Sequence, residues 1–177
     1  IVIIFLIVIS ACNQVEEQQD TQIVMLDNST KQIVMDDLVF TLGTDDLKYE
    51  VGDKININVK LENTGDNVIS YNRSTPCKPD IFVYVFAEDE KIYLQEPGYE
   101  EKLCIQKIDH RNLVQGEVVQ RNVVWDQKLP TEPEKKQVSK GEYTIHGLFE
   151  YEVNEEKHEI GLLMEIEIEG EGEDKIT

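Results

Sequence analysis

From Ile55 to Glu62 the chain alternates without a break: Ile55, Ile57, Val59 and Leu61 are apolar, while Asn56, Asn58, Lys60 and Glu62 are polar. Successive side chains of an extended strand point to opposite faces, so a period of two sends one set to a core and the other to water. The pattern returns in Tyr143, Ile145, Gly147, Phe149 and Tyr151, and in Met164, Ile166 and Ile168 set against Glu165, Glu167 and Glu169. These segments read as half-buried antiparallel strands. Residues 81–86 and much of 118–125 are apolar on both faces, which predicts central strands with cover on two sides. Further strands are expected at 38–42, 68–71, 91–94 and 103–108, and an apolar patch at 23–26 is a candidate edge strand. No stretch sustains the 3.6-residue period of an amphipathic helix.

Turn chemistry separates these runs: Gly52 with Asp53, the polar stretch 63–67, Pro97 with Gly98, Gly116, and Lys140 with Gly141. Glycine and asparagine tolerate the left-handed backbone that tight turns demand. Many short strands at this spacing, with no strand–helix–strand rhythm and no repeat of solenoid or propeller length, predict an all-β fold, an immunoglobulin-like antiparallel β-sandwich. A chain of 177 residues suits one such domain with terminal extensions. The domain is expected at 32–169, followed by an acidic tail over 170–177 whose composition cannot support a core.

The N-terminus reads as an address. Nine consecutive apolar residues, 1–9, lead into Ser10, Ala11 and Cys12, after which Asn13, Gln14, Glu16 and Glu17 make the chain abruptly polar. Nine residues are too few to cross a bilayer, but they have the length of a signal-peptide hydrophobic region followed by small residues. The run Ile9-Ser10-Ala11-Cys12 resembles the lipobox of bacterial lipoproteins. That resemblance implies a signal-peptide fragment at 1–11, begun further upstream, and a diacylglyceryl group on Cys12 as the first mature residue. An ordinary secretory signal with an incidental cysteine is the alternative. Two acyl chains anchor durably, each buried methylene contributing about 0.8 kcal/mol. Residues 12–31, rich in Gln, Asp, Glu, Asn, Ser and Thr, then read as a flexible tether that holds the domain at the outer face of the cell membrane.

Two stretches carry a second resemblance. YEVGDKININVKLENTGDN at 49–67 looks like the opening strands of bacterial immunoglobulin-like domains, and VVWDQKL at 123–129 with SKGEYTIHGLF at 139–149 resembles their closing strands. The combination is most similar to the BsuPI family, named for an intracellular proteinase inhibitor, over about residues 38–153. It implies the sandwich, and proteinase inhibition through an exposed loop as an activity. The expected export and the cysteine pair depart from the namesake, and no inhibitory residue carries over by position.

With 36 acidic against 17 basic residues the formal charge is -19, which repels phosphate backbones and excludes nucleic acid as a partner. Cys77 and Cys104 remain once Cys12 carries lipid, and in an oxidising compartment they are expected to form one disulfide; two free thiols are the alternative. Neither has a second Cys or a His at zinc-ligand spacing, so no metal or other cofactor is expected. His110, His146 and His158 lie in no catalytic motif, and His146 should face outward because Ile145 and Gly147 face in. The acidic runs Asp36-Asp37, Asp45-Asp46 and Glu88-Asp89-Glu90 read as solvated faces or edge protection, with calcium between two such clusters as the alternative. Trp125 is expected in the core. The polar, locally basic loop containing Leu129, Pro130, Lys135 and Lys136 is the candidate binding loop, because long loops on rigid scaffolds carry recognition. The chain is therefore expected to be a non-catalytic accessory protein whose partner is either an envelope protein or a proteinase.

Overall fold

The computed structural model describes residues 22–35, 37–73, 78–87, 90–95, 108–129, 136–153 and 156–170. Along them run the strands β1 (Gln22–Asp27), β2 (Thr30–Met35), β3 (Leu38–Thr44), β4 (Lys48–Glu50), β5 (Ile55–Asn63), β6 (Ile69–Arg73) and β7 (Ile81–Ala87). They are followed by β8 (Glu90–Tyr93), β9 (Asp109–Leu113), β10 (Val118–Trp125), β11 (Lys128–Leu129), β12 (Lys136–Gln137), β13 (Gly141–Val153) and β14 (Glu156–Glu169). Sheet I has the order β1-β2-β3-β5-β10 and sheet II the order β4-β14-β13-β7-β8. Two ribbons, β6-β9 and β11-β12, complete the fold.

This is an immunoglobulin-like sandwich. The first strand of the domain is divided between the sheets: β3 pairs with β5 in sheet I, and after a short break β4 pairs with β14 in sheet II. The β4–β14 pair is parallel, the exception in an otherwise antiparallel assembly. The break at residues 45–47 is held by Tyr49, whose Oη accepts the Asp46 N–H at 2.8 Å and lies 2.6 Å from Asp45 Oδ1.

The core lies between the two sheets. Phe40, Leu42, Ile55, Ile57, Val59, Leu61, Val123 and Trp125 of sheet I meet Val83, Val85, Tyr143, Ile145, Phe149, Met164 and Ile166 of sheet II, all buried. Gly147 sits where the gap is tightest: a Cβ there would be 3.1 Å from Val59 Cγ1 and 3.4 Å from the Phe40 ring. Trp125 is 1% exposed and packs edge-on to Tyr143, with ring centres 5.5 Å apart. Tyr143, near the start of β13, donates its hydroxyl hydrogen to Ser139 O at 2.6 Å. This is the tyrosine corner of immunoglobulin-like folds, in which a phenol ties the strand to the chain that leads into it.

Two expectations need correction. The edge strand expected at 23–26 is present as β1, and the tether expected over 12–31 is corrected from residue 22 on, because β1 and β2 form a hairpin that extends sheet I beyond β3. Register, not composition, decides this: Ile33 lies opposite Phe40 and joins the core, while β1 remains exposed throughout. Nor are 81–86 and 118–125 covered on both faces. β7 stands next to the edge of sheet II and β10 is the edge of sheet I, and the outer face of each has no second layer over it, so the burial alternates. The strand expected at 103–108 falls almost wholly outside the described residues.

The inward face of β10 also holds a cation. Arg121, 4% exposed, donates to Ile81 O at 2.6 Å and Leu94 O at 2.7 Å, and its guanidinium carbon is 5.3 Å from the centre of the Tyr93 ring. It ties the last strand of sheet I to β7 and β8 across the open side of the sandwich.

Candidate functional site

Strict alternation in β7 leaves Ile81, Val83 and Val85 in the core and directs Phe82, Tyr84 and Phe86 to the outer face of sheet II. Cross-strand register widens this row. Tyr84 is flanked by Tyr93 of β8 and by His146 of β13, and Leu163 of β14 stands beyond His146. The Tyr84 ring centre is 5.6 Å from Tyr93, 6.2 Å from Phe82 and 6.3 Å from His146, while Phe86 lies 6.2 Å from His146. Phe86, Tyr93 and Leu163 are 37%, 38% and 53% exposed. Gly161 makes room for the layer: a Cβ there would stand 2.8 Å from Gly147 O and 3.0 Å from His146 Nε2.

Charges frame this patch. Lys91 places its Nζ 3.8 Å from the centre of the Tyr84 ring and 5.7 Å from that of Phe86. Glu150 and Glu159 face each other at one end of the patch, and Glu142, Glu165 and Glu167 stand at the other. Burial first, and then the Lys91 charge, lower the pKa of His146, with Glu159 opposing, so its ring is neutral at pH 7. Burial raises the Tyr84 phenol, reinforced by Glu150, and the ring carries no charge of its own.

Beyond Phe82 the face runs into a groove of about 620 Å³ whose walls include Tyr71, Arg73, Asp80, Tyr151 and His158. Four charged groups at its β6-β9 wall pair with one another. The Arg73 guanidinium pairs with Asp109 and lies 3.4 Å from Asp80, and Arg111 Nε is 3.0 Å from Asp109. Arg73 first and then Arg111 hold the Asp109 carboxyl below its ordinary value. Tyr151 stacks on His158 at 5.4 Å. The ion pairs tie β6 and β9 to the residue that leads into β7, and Tyr71 of β6 packs edge-on to Phe149 of β13 with ring centres 5.0 Å apart.

No protein family and no curated protein matches this sequence. Among solved structures, a β-glucosidase from Erythrobacter marinus aligns at 15% identity over 73% of this chain and 15% of its own, with a TM-score of 0.42. A β-glucosidase from Listeria innocua aligns at 15% identity over 74% and 16%, with a TM-score of 0.41. One from Kluyveromyces marxianus aligns at 20% identity over 76% and 15%, with a TM-score of 0.33. The chain spans about a sixth of the length of these structures. At such scores the likeness carries no argument about activity.

The residues singled out by sequence are dispersed. Cys12, Cys77, Cys104, Pro130 and Lys135 lie outside the described residues. Leu129 is 7% exposed and belongs to the core, whereas Lys136 is exposed; the two face each other on the β11-β12 ribbon. Leu129 thus anchors the base of the candidate loop. Gln127 braces that base from a buried position with φ at +56°, accepting the Gly52 N–H at 2.8 Å and donating to Glu50 O at 2.9 Å. His110 Nδ1 meets Asn72 Oδ1 at 2.6 Å, His146 lies among the aromatic rings, and His158 lines the groove. Among the described residues no three His, Cys, Asp or Glu side chains gather as a metal site.

The aromatic face is what sequence reasoning missed. Its signal was present: in 81–86 one alternating set is β-branched and the other entirely aromatic, and only the aromatic set suits a half-wet surface.

Proposed function

We propose that the protein is a non-catalytic binding module of the cell envelope, held at the outer membrane surface of the cell by lipid on Cys12, which captures a protein partner on the outer face of sheet II. The observation that carries this reading is the contiguous row Phe82, Tyr84, Phe86 and Tyr93 facing water although the sandwich already has a full core. Rings left exposed in a cluster lose the free energy that burial would supply, on the order of 25 cal/mol per Å² of apolar area. Such patches mark interaction sites, and Tyr and Phe ringed by polar residues is the composition of an interface centre with its rim. The test compares the full chain with a Tyr84→Ser/Phe86→Ser double variant on native envelopes. The variant should lose the partner while its thermal transition stays within a few degrees of the parent, since both residues point away from the core. Full retention of the partner would refute the reading. Cys12→Ala should release the chain from the membrane without altering capture in solution.

A second reading, proteinase inhibition, is supported by the clamped base of the 130–135 loop, where buried Leu129 and Gln127 provide the rigid frame that an inhibitory loop requires. If it holds, the intact chain slows a subtilisin-type proteinase, and replacing 130–135 with a Gly/Ser linker removes that effect.

A further inference from the structure

The outer face of sheet II already holds an ammonium group. Lys91 stands opposite Phe86 on the neighbouring strand, and its Nζ rests 3.8 Å from the centre of the Tyr84 ring, where the negative face of the π-system attracts a cation. No carboxylate among the described residues forms an ion pair with it, although the same face carries Glu165 three strands away and Glu150 and Glu159 beyond Phe82. Lys48, the cation at the far end of the face, is by contrast engaged by Glu167 at 2.8 Å and Glu169 at 2.7 Å. Lys157 stands past Glu159 at the groove end.

Resting on the reading of this face as the recognition surface, we infer that its partner is a basic protein segment, and that a lysine or arginine of that segment displaces Lys91 and takes its place over Tyr84. Charge complementarity identifies this occupant. Five carboxylates, Glu142, Glu150, Glu159, Glu165 and Glu167, frame an aromatic centre on a chain of net charge -19. An acidic segment laid across the rings would run into Glu150 and Glu159 at one end and Glu142 and Glu165 at the other. A basic segment would place apolar stem on the rings of Phe82 and Tyr93 and its charged ends among the carboxylates. Lys91 is then a built-in competitor. It covers the Tyr84 ring in the free protein and swings to solvent when a partner cation arrives, because it belongs to the short edge strand β8 and is itself exposed.

The test titrates the full chain with a lysine-rich decapeptide and with the same peptide acetylated at every lysine Nε, followed by NMR at physiological ionic strength. The lysine peptide should shift Tyr84, Phe86, Tyr93 and His146 before other residues, and the acetylated peptide should not. Lys91→Ala should bind the lysine peptide about fivefold more tightly, as expected for removing an exposed cation–π competitor. Neutralising a distant exposed lysine, Lys140→Ala, reports the general effect of one lost positive charge and should change affinity by less than about twofold. Tyr84→Leu, which keeps apolar bulk but removes the ring, should weaken binding at least as much as Lys91→Ala strengthens it. The inference is overturned if Lys91→Ala gains no more than Lys140→Ala, if the acetylated peptide binds equally, or if shifts spread evenly over all acidic regions. Any of these with envelope capture still abolished by Tyr84→Ser/Phe86→Ser leaves the binding face standing and removes only its basic partner. Loss of both removes the face as well.

Discussion

Tyr143 shows how much a single atom settles. Its hydroxyl reaches back four residues to Ser139 O, and its ring closes over Trp125, so Tyr143→Phe should retain the packing and lose the bond. Chemical denaturation should then report a loss of about 1 kcal/mol, the net value of one such hydrogen bond, with no change in the slope of the transition. His146 makes a second, pH-dependent statement. Its folded pKa lies below the ordinary 6.5, owing to burial and then to Lys91, so between the two values the unfolded chain binds more protons than the folded one. Stability that is complete above pH 6.5 is therefore lost as pH falls through that window. The melting temperature of the parent should drop more between about pH 7.5 and pH 5 than that of His146→Gln, which has no such proton to bind. The outward direction of His146 was legible from Ile145 and Gly147 beside it. Its aromatic neighbours were not, because they arrive from β7 by a register that no local pattern encodes.

At the scale of elements, alternation located β5, β13 and β14 well because each has one wet and one dry face, the case in which period two is unambiguous. It failed for β7 and β10, where both sets include apolar residues and only the sheet order decides which set is covered. It gave no hint of Arg121, whose inward direction follows from β10 register but whose burial depends on carbonyls of β7 and of the residue after β8. Arg121→Met should cost about 2 to 4 kcal/mol, since it leaves the carbonyls of Ile81 and Leu94 buried without their donor, each worth roughly 1 to 3 kcal/mol. Parallel loss of the Tyr93 contact should loosen β8 in hydrogen exchange before the rest of sheet II. The β6-β9 ribbon bears on the cysteines. Its final rung joins Arg73 to Asp109, and Cys77 follows four residues after the first while Cys104 precedes the second by five. Chains that begin side by side and have nearly equal reach can bring their thiols within the roughly 7 Å between Cα atoms that a disulfide allows. The folded protein, purified under oxidising conditions, should resist alkylation at both positions, and reduction should lower its stability by about 3 kcal/mol. Two freely alkylated thiols would contradict this.

For the molecule as a whole, the fold class followed from sequence because sandwiches announce themselves through repeated short alternations and turns. The division of the first strand between two sheets did not, since β3 and β4 differ only in what lies across from them. Function divides in the same way. The net charge of -19 is a property of the whole chain and is read directly from composition, whereas the candidate site depends on four aromatic residues from two strands and a histidine from a third. The outer faces differ accordingly where β5 and β10 of sheet I are set against β7 and β8 of sheet II: the first pair presents Asn56, Asn58, Gln120 and Asn122, and the second presents rings. If sheet II is the recognition face, that difference must appear where a partner touches the molecule in the living envelope. The most direct measurement replaces Phe86 on sheet II, and separately Gln120 on sheet I, with the photocrosslinking amino acid benzoylphenylalanine and irradiates intact cells. The account predicts a discrete protein adduct from position 86 and none from position 120; an adduct from position 120 alone, or from neither, would contradict it.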